Sequence, residues 1–89
     1  MKATQQTLAM VRELTIETFG MPPDIKLDYD TPLAPQYISD GFDLTELLVN
    51  LEEHFLVADL VDAFDFTEDD IGDINIRTIA DVIEAKSRK

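Results

Sequence analysis

The stretch Asp40-Gly41-Phe42-Asp43-Leu44-Thr45-Glu46-Leu47-Leu48-Val49-Asn50-Leu51-Glu52-Glu53-His54-Phe55 decides the fold. Leu44, Leu47, Leu48, Leu51 and Phe55 stand at i, i+3, i+4, i+7 and i+11, the spacing of one helical face. Asp43, Glu46, Asn50 and Glu53 repeat at helical spacing on another face. The pattern predicts a helix from Asp40 or Gly41 to about Phe55, with one side buried and one side acidic. Asp40 suits the N-cap, and Asp43 places negative charge in the first turn, where the helix dipole favours it.

Upstream, Leu8, Val11, Leu14 and Phe19 predict a first helix from about Thr4 to Phe19. Gly20 stops it, and Pro22-Pro23 enforce the stop. Residues 21–40, which also hold Pro32 and Pro35, form a long loop. Ile25, Leu27, Leu33 and Ile38 are its candidates to fold back onto the core, with Tyr29 and Tyr37 keeping a polar tip at the surface. Downstream, residues 56–64 either extend the second helix or make a separate turn. Thr67 to Ile74 reads as a short helix capped by Thr67. Ile79, Val82 and Ile83 predict a last helix from Arg77 or Thr78 to Ala85 or Lys86. Phe42, Phe55, Phe64 and Phe66 read as core or core-edge residues. No strand pattern competes, so the expected fold is an all-α bundle of three main helices and a short one, in a single domain over residues 1–89.

Charge narrows the function. Seven Lys and Arg face nineteen Asp and Glu among 89 residues, for a net charge of −12. No lysine or arginine lies between Lys26 and Arg77. Such a field repels nucleic acid and anionic membranes and attracts basic protein surfaces. Hydrophobic residues make up 45% of the chain, which suits a packed globule. No cysteine is present, so disulfides and thiolate metal sites are excluded. His54 is the lone histidine and reads as a surface residue. Glu68, Asp69, Asp70 and Asp73 miss the spacing of a calcium loop, so no metal site is expected. The N-terminal residues lack a secretory signal and no stretch is apolar enough to span a membrane, so a cytoplasmic monomer is the expectation.

The residues from Asp40 to Phe55 resemble the second helix of acyl carrier proteins. That family reads Asp-Ser-Leu, then an acid, a Glu-Leu pair, a Leu-Glu-Glu run and a Phe at the same spacing. Ile76 to Ile83 is similar to the family's closing helix, and the long first loop also fits. The segment between Phe55 and the last helix is longer than in common bacterial members by roughly two turns, with 56–64 as the insertion.

The resemblance implies a carrier and not an enzyme. In the family a transferase attaches 4'-phosphopantetheine to a serine at the start of the second helix, and the arm's thiol then holds acyl groups. Free backbone N–H groups and the helix dipole favour a phosphate there. In this chain the aligned position is Gly41, which has no hydroxyl. Three readings follow. The chain is a natural relative that kept docking and lost the arm, or its serine was replaced deliberately to keep it unmodified, or Ser39 serves instead. Ser39 ranks last, since a two-residue shift moves the hydroxyl off the helix start. The other two stand side by side. The resemblance also implies docking through Asp40, Asp43, Glu46, Glu52 and Glu53 onto basic surfaces of fatty-acid, polyketide or related thioester enzymes, and onto a phosphopantetheinyl transferase. The alternative function is a non-carrier regulatory or scaffolding module that binds proteins through the same acidic face.

Overall fold

A computed structural model of the protein describes residues 4–33, 37, 41–64 and 74–87. Among these residues the chain forms three α-helices and one 3-10 turn, with no strand. The helices are α1 (Gln5–Phe19), α2 (Gly41–Phe55) and α3 (Ile76–Ser87), and the 3-10 turn is Val61–Ala63. α1 lies against both α2 and α3, and the 3-10 turn lies against α2. The all-helical expectation holds. The short helix expected from Thr67, together with Phe66 and Ile38, falls outside the described residues.

Local chemistry explains each boundary. Thr4 caps α1, its Oγ1 accepting from the Thr7 N–H at 3.2 Å. The Glu84 carboxylate on α3 ties this cap down, accepting from the hydroxyls of Thr4 at 3.2 Å and Thr7 at 2.6 Å. Gly20 ends α1 in the left-handed conformation at φ 63°. The following N–H, of Met21, donates to the Ile16 carbonyl at 3.0 Å. α3 begins one residue before the expected start. Asn75 is the reason: its Oδ1 accepts from the Thr78 N–H at 2.8 Å and from the Thr78 hydroxyl at 2.9 Å.

The core joins Leu8, Val11 and Ile16 of α1 to Leu44, Leu47, Leu48 and Leu51 of α2 and to Ile76, Ile79, Ala80 and Ile83 of α3. The α1 stripe is shifted from the expected one. Leu14 and Phe19 are only partly buried, and Thr15 and Ile16 take the interior. Thr15 enters at low cost because its hydroxyl donates to the Val11 carbonyl at 2.7 Å.

The long loop packs as expected where it is described. Leu27 and Leu33 are buried, while Ile25, Tyr29 and Tyr37 are partly buried against the core. Arg12 holds the loop from α1, donating to the carbonyls of Leu27, at 2.9 Å, and Ile25. The other side is held at the start of α3. Leu33 N–H donates to Ile74 O at 2.9 Å, and Arg77 N–H to Tyr29 O at 3.0 Å. The Arg77 guanidinium lies 2.7 Å from Asp30 and 5.9 Å from the centre of the Tyr29 ring. The bond to Asp30 is the main cause that raises the Arg77 pKa above its ordinary value.

Residues 56–64 do not extend α2. Leu56 takes a left-handed conformation at φ 56°, and the Val57 N–H donates to the Glu52 carbonyl at 3.2 Å. This is the same helix ending as at Gly20, with leucine in the glycine position. A second left-handed residue, Asp59 at φ 60°, turns the chain back so that Leu60 reaches the core. A leucine in this conformation costs about 1 kcal/mol. Leu56→Gly is therefore expected to raise stability by about that amount, or about 5 °C in Tm. Thermal unfolding followed by circular dichroism checks it. An unchanged or lower Tm would count against strain at this position.

Candidate docking site along the second helix

The candidate site begins where α2 begins. Gly41 is the first residue of the helix and brings no side-chain oxygen to it. Asp40 and Ser39 lie outside the described residues. Asp43 sits in the first turn of α2 and is half-buried.

The outward side of α2 is not the purely acidic face expected. Asn50, grouped with the acids by spacing, turns toward α1 and donates to the Thr18 hydroxyl at 3.0 Å. Phe42, expected at the core or its edge, is 85% exposed, which corrects that expectation. The helical geometry gives the reason. At about 100° per residue, Phe42 points about 200° away from Leu44, and so opposite the buried line. Phe55 and Phe64 do pack against the core, and Phe66 is outside the described residues.

The exposed positions form one line. Within α2, Phe42, Glu46, Val49 and Glu53 follow each other at steps of four, three and four residues, and Leu56 stands just past the helix end. Glu46 and Glu53 are exposed, Val49 is 39% exposed, and Leu56 is 90% exposed. The line runs about 16 Å along the helix. It alternates apolar side chains with carboxylates, and α2 contributes no lysine or arginine to offset them. His54 lies to one side, exposed, with its ring edge-on to Phe55 at 5.0 Å between centroids.

Glu52 stands apart from this line. It is half-buried, and its Oε2 accepts from the Leu60 N–H at 2.6 Å and from the Val61 N–H at 3.4 Å. The carboxylate caps the 3-10 turn and holds residues 56–64 against α2. Sequence reasoning passed over Val49 and Leu56 as surface groups. The seven-residue interval from Phe42 to Val49, off the core register, was the signal for Val49, whereas Leu56 lies past the helix end on a left-handed backbone that no spacing rule marks.

Among the described residues no group of three His, Asp or Glu side chains is placed to hold a metal ion. No helix among them is long and apolar enough to cross a membrane.

No family model matches the chain, and no solved structure matches it significantly. Curated relatives do match. The acyl carrier proteins of Chlamydia trachomatis serovars L2, D and A are each 35% identical to it over 75 residues. The match covers 83% of this chain and 83% of each relative. Their name is that of a carrier and not of a catalyst. Similarity of this extent, together with the helical fold and the helix register described above, shows that the chain belongs to the acyl carrier protein family.

Proposed function

We propose that this chain is an acyl-carrier-type protein that docks enzymes of a fatty-acid, polyketide or related thioester pathway through the outward line of α2. It works as one domain over residues 1–89, as a monomer in the cytoplasm, and not as an enzyme. The observation that carries the reading is the exposed pair Glu46 and Glu53 on a helix without lysine or arginine. Complementary charge of this kind speeds encounter and sets orientation. Asp43, in the first turn of α2, extends the acidic charge toward the helix start, and Asp40 stands next to that start in the sequence. Glu52 contributes field but little direct contact, because its carboxylate is occupied by the 3-10 turn.

The residues do not fit covalent phosphopantetheine at the family position. Gly41 supplies no hydroxyl to form the phosphate ester, so acyl carriage at that position is blocked in this chain. Ser39 remains the weaker substitute. Gly41 also favours the second reading, a regulatory or scaffolding module that retains docking without an arm.

Docking is tested by reversing both exposed carboxylates, Glu46→Lys with Glu53→Lys. Affinity for a broad-specificity phosphopantetheinyl transferase is expected to fall roughly tenfold at low salt, mainly through slower association. The difference should shrink as salt screens the exposed charges. Surface plasmon resonance at two ionic strengths reads both effects, and equal association rates for the parent and reversed chains would count against the acidic line.

A further inference from the structure

Leu56 holds the most exposed large apolar side chain among the described residues, on a backbone conformation that glycine adopts without strain. At 90% exposure the chain's own packing gains almost nothing from that side chain. The comparison lies within the molecule: α1 ends by the same hydrogen-bond pattern and uses Gly20. A strained residue whose side chain does no work inside the fold points to a use outside it.

We infer that Leu56 is an apolar anchor for partner docking, extending the contact surface beyond the end of α2. It seats in an apolar pocket rimmed by lysine or arginine on a thioester-pathway enzyme. This inference rests on the docking reading above and names the partner surface it requires. Charge selects the occupant. Glu46 and Glu53 are exposed on the helix that Leu56 follows, and Asp59 and Asp62 are exposed in the segment after it. An apolar anchor set among carboxylates fits a pocket with a basic rim. A second copy of this chain would set these carboxylates against their own kind, which disfavours it. The capping of the 3-10 turn by Glu52 holds the segment after Leu56 in place, so the anchor is presented at a defined position rather than on a loose end. Preorganisation of this sort lowers the ordering cost of binding.

The test uses the full chain with Gly41 intact and a broad-specificity phosphopantetheinyl transferase as the probe. Three variants are compared with the parent by titration calorimetry: Leu56→Gly, Leu56→Asn and Leu56→Met. Glycine and asparagine both tolerate the left-handed backbone and remove the apolar group. Methionine keeps it. Leu56→Gly and Leu56→Asn are expected to bind roughly tenfold more weakly, as for truncation of an interface anchor, while Leu56→Met binds like the parent. The loss should persist at high salt, because burial of an apolar side chain is not screened. Thermal stability of the same samples separates anchoring from a structural role: Leu56→Gly should be the more stable chain and the weaker binder. Binding of Leu56→Gly within about twofold of the parent overturns the inference alone. So does weakened binding accompanied by a lower Tm. A parent chain that self-associates through Leu56 assigns the surface to a second copy and also overturns it. Failure of the parent to bind the transferase at all overturns both this inference and the docking reading beneath it.

Discussion

Gly41→Ser is expected to convert a chain that gains no mass with coenzyme A and a broad-specificity phosphopantetheinyl transferase into one that gains a single phosphopantetheine. The effect is all or none, because the parent has no oxygen at the start of α2 to form the ester. In the variant the new hydroxyl lies on the first residue of α2. There the backbone and the helix dipole favour the phosphate. The fold should not oppose the change. Serine is a better helix residue than glycine by a few tenths of a kcal/mol, so the variant's Tm should equal or slightly exceed the parent's. Intact-mass spectrometry reads the result directly. Modification of the parent itself would transfer the attachment point to Ser39. If neither chain were modified, while a known carrier was modified under the same conditions, transferase recognition by α2 would be refuted.

Leu48→Ala is expected to have the largest effect on stability. Leu48 is fully buried between α2 and the rest of the core. Truncation there removes apolar burial and leaves a cavity, at about 3 kcal/mol. A domain of this size has only about 5–10 kcal/mol to lose. The Tm should therefore fall by about 15 °C, and urea unfolding should show a lower midpoint with an unchanged slope. Phe42→Ala is the matched control from the same helix. It removes a larger side chain, but one that is 85% exposed, and its effect should stay within about 0.5 kcal/mol. Equal losses at the two positions would mean that α2 is turned the other way on the core. Because α2 bears both the core line and the proposed docking line, loss of the first should disorder the second. Docking by Leu48→Ala should then fail at temperatures where Phe42→Ala remains folded.

The proposed function separates two properties, docking and carriage. In the proposed function docking depends on surface charge and shape, which Glu46, Glu53 and the exposed Val49 between them would supply. Carriage depends on a single oxygen. Glycine at position 41 leaves Glu46 and Glu53 in place, so the two properties are open to separate measurement.

Sequence alone determined the helical class, the extent of α2 and the end of α1. Those features rest on local rules: apolar spacing near 3.6 residues and a glycine able to turn left-handed. It also determined that residue 41 has no hydroxyl. Tertiary structure decided which of the remaining groups face outward. Glu52 reads as one more acid of α2, yet it points at the Leu60 and Val61 amides because two left-handed residues bring that segment back. No local rule anticipates Leu56 as one of them, since leucine is disfavoured there. Phe42 reads as core by its hydrophobicity, yet it faces outward because Leu44, Leu47, Leu48 and Leu51 fill the side of the helix that meets α1 and the rest of the core. The difference is one of range. Spacing along a helix is written in the chain, whereas the direction a side chain meets is set by what distant residues have already filled.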